Sequence, residues 1–546
     1  MGVDAAAVTS AEAAQYRAAG WWSDTTLSEC VRRNAASSPE KTAYVDFAGD
    51  APERQLTWAQ FDHAATNLAH QLSTLGVSSG HCVAVWHEDT SAIHVLLVAI
   101  ERCGAVALGL GARAGVREVT QLLRTARPSL MVSDVGRLEQ AVRAAADAGA
   151  DPPLRAVALG DHAGDLVVDA DPRPDAATGL TPLGPDDVFL INSTSGTTGL
   201  PKCVVHTQNR WHYFHQKAVA NGELTADDVF LPVIPTPFGF GIWTSHTTPI
   251  HLGATAVRMR RFESAATSAA IECHRVTVLC CVSTQLMMIL ADPTLRDRDI
   301  SSLRVVFTGG EPLPYTQAAQ FEEVTGAKIL QFYGSNETGI LSATTVADPL
   351  HRRLRTAGRI VPEMQVRLFD GERDVTESGR GQPACRGPAL SLGYLGGTDH
   401  DKLFTRAGWM RMGDICELDA DGYLSLTGRT SDFIIRGGKN ISAVQVEEVV
   451  ATHPAVAVSA AVAMPDSVFG ERVCLFVELR DGGELDLPTL VEHLLQQGVS
   501  KELLPERLEL LDELPRSSGG KIAKGQLREA IRTTLEAGLR QGQEQA

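Results

Sequence analysis

Thr194-Ser195-Gly196-Thr197-Thr198-Gly199-Leu200-Pro201-Lys202 is the stretch on which the reading of this chain turns. The apolar run Val188-Phe189-Leu190-Ile191 leads into it and reads as a buried strand. Six small residues then follow without a break. Small residues let backbone N–H groups turn inward, and Ser and Thr hydroxyls add donors. Such a loop can surround a phosphate, with Lys202 to balance its charge. A flexible connector would need neither the strand before it nor the Pro-Lys after it. A Walker loop requires Gly-Lys followed directly by Ser or Thr. Here Leu200 and Pro201 separate Gly199 from Lys202, Gly520-Lys521 runs into Ile522, and Gly438-Lys439 runs into Asn440.

The 546 residues suffice for two or more domains with sizeable cores. Apolar content of 44% and charged content of 21% suit a globular enzyme. A net charge of −17 argues against nucleic acid or a polybasic membrane patch, so a polyanionic ligand needs a local basic pocket. Ten scattered cysteines form no Cys-x-x-Cys pair and read as reduced core thiols of a cytoplasmic protein. Residues 1–20 hold Asp4 and Glu12 and no apolar signal-peptide core. The longest apolar stretch, Ile93 to Leu110, is broken by Glu101-Arg102 and predicts no membrane insertion.

Around the loop, helical and strand periods alternate. Phe61, Ala64, Ala65, Leu68 and Leu72 predict a helix from Leu56 to the stop at Gly76. Val83–Trp86 and Ala105–Leu108 predict strands flanking a helix over Ala92–Ala99. The alternation predicts an α/β fold with parallel or mixed sheets covered by helices. Gly109-Leu110-Gly111-Ala112-Arg113-Ala114 also fits a relaxed dinucleotide fingerprint, which keeps an NAD-linked oxidoreductase open. Its third glycine is missing, and Asp134 arrives late for the ribose. Asp134 to Pro185, rich in Ala, Asp, Gly and Pro, predicts a mobile surface excursion.

Further stretches carry chemistry. Leu231 to His251 sets Phe238, Phe240 and Trp243 among Gly239 and Gly241, with no acid between Asp228 and Glu263. Aromatics beside glycines can shape an apolar slot. Two strand-like runs end in turns: Val305–Thr308 into Gly309-Gly310-Glu311, and Ile329–Phe332 into Tyr333-Gly334-Ser335-Asn336-Glu337. Asp414 precedes the hairpin turn Asp419–Tyr423. Gly428 to Ile441 holds Arg429, Ser431 and Arg436-Gly437-Gly438-Lys439. Near the end comes Pro515-Arg516-Ser517-Ser518-Gly519-Gly520-Lys521.

In this order, these stretches resemble the motifs of the adenylate-forming superfamily: acyl-CoA synthetases, peptide-synthetase adenylation domains and firefly-type luciferases. The resemblance spans roughly residues 20–530. It implies a large N-terminal domain over 1–430 and a small α+β C-terminal domain over 431–546 that rotates about a hinge at Ser431. It implies that Thr194 to Gly199 and Lys202 cradle the phosphates of ATP. Gly309, Gly310, Glu311, Tyr333, Gly334 and Asn336 border adenine and the α-phosphate, while Asp414 and Arg429 hold the ribose. Glu337 carries Mg²⁺. Phe238, Gly239, Phe240 and Trp243 line the acyl pocket. Lys521 is the catalytic lysine, and Arg436, Gly437, Gly438 and Lys439 face CoA.

The implied activity is that of a CoA ligase for an apolar aryl, alicyclic or branched acid, acting through acyl-AMP. A free-standing carrier protein is an alternative acceptor, and a silent acyl-nucleotide binder a third class. Cys203, Gln208, Asn336 and Met412 depart from the family pattern. They raise the expectation of a weakened adenylation half, in the extreme a thioester-only enzyme fed with pre-formed acyl-AMP.

Overall fold

The computed structural model describes residues 8–49, 53–160, 166–167, 179–194, 202–311, 313–397, 400–429, 433–436, 439–466, 469–497, 499–517 and 521–544. Among them, two large sheets face each other across a helical layer. The first has seven strands, centred on Cys82–Trp86, Val106–Gly109 and Leu130–Asp134 in parallel. Val188–Thr194 adds in parallel to Val106–Gly109, and Lys202–Thr207 returns antiparallel to it. Thr194 and Lys202 are cross-strand partners, so the Ser195–Pro201 loop joins two paired strands at the sheet's edge. The second sheet has nine strands, among them Val305–Thr308 and Lys328–Ser335 in parallel and Gly339–Ala343 antiparallel.

The helix Trp58–Thr74 starts where Thr57 and Gln60 form a reciprocal cap, so Leu56 belongs to the preceding strand Arg54–Thr57 and not to the helix. Every residue of the helix Ser91–Arg102 is buried. The charged pair that interrupts its apolar run is satisfied locally. The Arg102 guanidinium reaches Asp62 at 2.5 Å and Ser28 Oγ at 2.9 Å, and Glu101 accepts from Ser28 N at 3.0 Å. Burial raises the Glu101 carboxyl from 4.5 to about 7, against hydrogen bonds that pull it down. Gly109 is a packing glycine: a Cβ there would sit 2.8 Å from Pro237 Cβ. Part of the expected surface excursion is regular structure, with a helix at Leu138–Ala148 and a strand at Arg155–Leu159.

A six-stranded, largely antiparallel sheet follows, in which Asp414–Leu418 pairs with Leu424–Arg429. The small C-terminal domain contains a five-stranded sheet that includes Phe433–Arg436 and Lys439–Ser442. It has its own core, built by Ile434, Val446, Val450, Val473 and Leu475. All ten cysteines are free, and nine are buried, Cys273 being the exposed one. No helix among the described residues is long and apolar enough to cross a membrane.

Candidate active site

A cleft of about 1880 Å³ opens between the phosphate-loop hairpin, the end of Lys328–Ser335 and the small domain. Its floor is the turn Gly334–Glu337. Two hydroxyls lock that turn: Ser335 N donates to Thr338 Oγ1 at 3.0 Å, and Glu337 N donates to Ser335 Oγ at 3.1 Å. Gly334 has no room for a side chain, since a Cβ would fall 1.7 Å from Gly339 O. Glu337 Oε1 accepts from Tyr394 Oη at 2.7 Å, and Lys202 Nζ lies 4.8 Å from the centre of the Tyr394 ring. Tyr394, which no motif singled out, therefore links the turn to the hairpin lysine.

Asp414 is buried on its strand, directly across from Arg429 in the ladder. Tyr333 Oη donates to Asp414 Oδ2 at 2.8 Å. Burial and the neighbouring carboxylate hold the Tyr333 phenol well above its ordinary range, so it stays a donor. The hydroxyl of Tyr333 thus orients the acid, while its ring walls the cleft.

Gly310 has φ +79°, and a Cβ there would lie 2.7 Å from Lys521 Nζ. The lysine of the small domain therefore rests on a glycine of the large one. Lys521 rides a short hairpin in which Ser517 N donates to Lys521 O at 2.7 Å and Ala523 N to Pro515 O at 2.7 Å. Lys524 Nζ ties it to Glu447 Oε1 at 2.7 Å. A Cβ on Gly309 would meet Phe332 O at 2.6 Å. The Glu311 carboxylate is engaged at the start of the helix Ser283–Ala291, accepting from Thr284 N at 3.1 Å and Thr284 Oγ1 at 2.8 Å.

One wall of the cleft is a row of nearly parallel rings. Phe240 and Trp243 are 5.6 Å apart at 17°, and Trp243 and Phe332 are 5.5 Å apart at 16°. Phe214 and Phe307 close on Trp243 at 4.9 and 5.2 Å. Trp243 is buried within the row and Phe238 and Phe240 are half-buried, and all three line the cleft. The helix carrying them widens to π geometry over Trp243–Thr247 before resuming α at Thr248–Leu252. Gly239 lets this wall approach the floor: a Cβ would lie 2.8 Å from Asn336 Oδ1.

Ser195, Gly196, Thr197, Thr198 and Gly199 lie outside the described residues, as do Ser431, Gly437 and Gly438, and the side chains of Thr194, Arg429 and Lys439. Arg436 pairs with Glu506. Two expected departures face away from the cleft. Cys203 packs in the core of the seven-stranded sheet, and Gln208 Oε1 accepts from Leu27 N at 2.7 Å. Both are corrections: side chains alternate faces along the strand that carries Cys203, and Gln208 opens the helix Gln208–Gly222 with its amide oxygen turned to Leu27. Met412 sits beneath the floor, its sulfur 3.1 Å from Thr338 Oγ1.

Residues 31–395 match the family model for AMP-binding enzymes, and residues 445–521 that for the AMP-binding enzyme C-terminal domain. The chain is 33% identical to an indoleacetate–CoA ligase of Aromatoleum aromaticum, covering 92% of this chain and 98% of the relative. It is 30% identical to a medium-chain fatty-acid–CoA ligase of Escherichia coli, over 96% and 93% of the two chains. In fold it matches a crystallised anthranilate CoA ligase in complex with anthranoyl-AMP, with a TM-score of 0.83, 23% identity, and coverage of 94% and 98%. The small-residue loop, buried Asp414 and small-domain Lys521 thus stand in a chain matched over both halves. It belongs to the AMP-binding enzymes of the adenylate-forming superfamily, in their acyl-CoA ligase branch.

Proposed function

We propose that the chain activates an apolar, ring-bearing carboxylic acid as acyl-AMP and passes the acyl group to CoA. The observation that carries this reading is the meeting, in one cleft, of Lys521 over Gly310, Tyr333-oriented Asp414 and Glu337, beside the parallel rings of Phe240, Trp243 and Phe332. A carboxylate is a poor acyl donor because oxide would have to leave; joined to AMP, it has a good leaving group. Acid and ATP are both anionic, so charge must be neutralised where they meet.

Lys202, the hydroxyls and N–H groups of Thr194 to Thr198, and Lys521 serve that need. Lys521 bridges the acid's carboxylate and the α-phosphate, orienting attack. Glu337 fits Mg²⁺, a hard cation that prefers one or two carboxylates plus substrate phosphates and supplies charge neutralisation there. Asp414 accepts from the ribose hydroxyls and Arg429 donates to ribose or phosphate. The small domain, from residue 431, then turns about Ser431. Lys521 withdraws, and Arg436, Gly437, Gly438 and Lys439 admit the pantetheine thiol.

A flat ring would extend the row from the half-buried face of Phe240, which favours aryl acids over branched ones. The acid-free acyl stretch favours a neutral side chain. The test is a panel of aryl, alicyclic and branched acids with ATP and CoA, scored by mass for acyl-AMP and acyl-CoA separately. Aryl acids should give both products. Formation of neither from any acid, with turnover of an amino acid in their place, would overturn the reading.

A further inference from the structure

Behind the acyl wall a closed ring of polar side chains links six chain segments. It is built by Asn192, His206, Arg210 and Asn336, all buried or half-buried. A guanidinium can only donate. Arg210 Nη1 contacts His206 Nδ1, so that nitrogen accepts and the imidazole proton sits on Nε2. His206 Nε2 then donates to Asn192 Oδ1 at 2.7 Å. The same oxygen accepts from Asn336 Nδ2 at 2.5 Å, and Asn192 Nδ2 donates back to Asn336 Oδ1 at 3.2 Å and to Pro237 O at 2.9 Å. Arg210 closes the ring by donating from Nη1 to Asn336 O at 2.8 Å and from Nε to Ala389 O at 2.8 Å. Every donor direction follows from the one group that cannot accept.

The segments joined are the ones adenylation has to hold in register. Asn192 lies on the strand entering the phosphate loop and His206 on the strand leaving it. Arg210 lies in the first turn of the helix Gln208–Gly222. Asn336 lies in the floor turn beside Glu337, and Pro237 just before the acyl wall. Arg210 is 1% exposed, and among the described residues no carboxylate pairs with it at ion-pair distance. Burial presses its ionisation down to about 9, with Glu337 pulling the other way, so it is charged at neutral pH. Burying an unpaired guanidinium is a costly way to fill a core, and an apolar side chain would serve packing better. The ring also accounts for Asn336: its amide both donates to and accepts from Asn192, which a threonine hydroxyl could not do reciprocally.

We propose that Arg210 is a positioning residue for adenylation, fixing the Asn336–Glu337 turn against the phosphate-loop strands through His206 and the Asn192–Asn336 amide pair. The inference rests on the function proposed above. Placing a triphosphate in line needs floor and loop in register, whereas an acyl-AMP already made needs one phosphate and the ribose contacts.

The test compares Arg210→Gln, Arg210→Lys and His206→Phe with the wild type. Pyrophosphate exchange should fall by about 10²-fold in Arg210→Gln, as a displacement of about 1 Å at a reacting centre does. Thioester formation from synthetic acyl-AMP should stay within about threefold, because its contacts are spared. Arg210→Lys, which keeps a donor for the Asn336 carbonyl, and His206→Phe, which keeps Arg210 itself, should fall between. Asn336→Thr should add little to Arg210→Gln if both break one ring. Calorimetric titration with Mg-ATP and with AMP needs no acid: ATP should bind about tenfold more weakly to Arg210→Gln, and AMP nearly as before. Equal losses in both half-reactions and for both nucleotides, or full additivity with Asn336→Thr, would overturn the proposal. A wild type that binds neither nucleotide would instead sink the proposed function.

Discussion

Asp414 and Lys521 reach the same cleft by opposite routes. The aspartate is buried in a sheet, in register with Arg429 and held by the Tyr333 phenol. The lysine is half-buried at the end of a small-domain hairpin, and its ammonium rests on a glycine. A group built into a ladder cannot leave without breaking the sheet. A group carried on a hairpin of the small domain and seated on Gly310 can withdraw without breaking a sheet of the large one. The contrast fits the proposed division, with the nucleotide held by the large domain and the changeable contact on the small one, and each of the following substitutions strains one side of it.

Lys521→Ala has the largest expected effect. It removes a donor from the adenylation transition state, worth about 10²–10³ in rate. Thioester formation from supplied acyl-AMP should fall far less, read by comparing pyrophosphate exchange with acyl-CoA production.

Gly310→Ala attacks the same contact from the other side. The added Cβ meets Lys521 Nζ, and φ +79° disfavours any side chain. Exchange should drop about tenfold or more, with about 1 kcal/mol lost from stability. In a Lys521→Ala background the exchange penalty should vanish, which a double-mutant cycle reads directly.

Tyr333→Phe touches the fixed side alone. Losing the 2.8 Å bond to Asp414 should weaken AMP binding by about tenfold, measured by calorimetry, and burden both half-reactions alike. A split between them would blur the contrast.

Much of this was legible in the chain. The apolar run Val188-Phe189-Leu190-Ile191 predicts the strand that enters the loop, whereas its antiparallel return, with Thr194 paired to Lys202, is seen only in the structure. The order of motifs brings Asp414, Tyr333, Glu337 and Lys521 to one cleft. Motifs are local, however, and the partners that hold them are not. Tyr394 meets Glu337 across 57 residues, and Asn192 meets Asn336 across 144. Phe214, Phe307 and Phe332 complete the row of rings from three other elements. Cys203 and Gln208 misled because nearness to a loop in sequence does not say which face of a strand or helix a residue occupies. The π turn at Trp243 left no trace in composition, since it changes only the step of the backbone hydrogen bonds.

One further expected effect lies away from the cleft. Glu101 carries a carboxyl raised to about 7 by burial, so folding favours its protonated form. Its contribution is therefore present below the unfolded value of 4.5 and lost as pH rises to about 7. Glu101→Gln keeps an acceptor for Ser28 N and cannot ionise. Melting curves at about pH 5 and about pH 8 should show the variant gaining on the wild type at the higher pH, by about 1–3 kcal/mol at most.

Rotation between the two half-reactions requires the large domain to stay and the small one to move. Gln317 Nε2 donates to Ala451 O at 2.9 Å across the two domains, so a short bismaleimide between Gln317→Cys and Ala451→Cys would hold the arrangement seen here. Cys273, the one exposed native thiol, is first replaced by Ser. The tethered enzyme should keep pyrophosphate exchange and lose thioester formation from acyl-AMP, while the untethered double variant keeps both. Thioester formation undiminished by the tether would contradict the account.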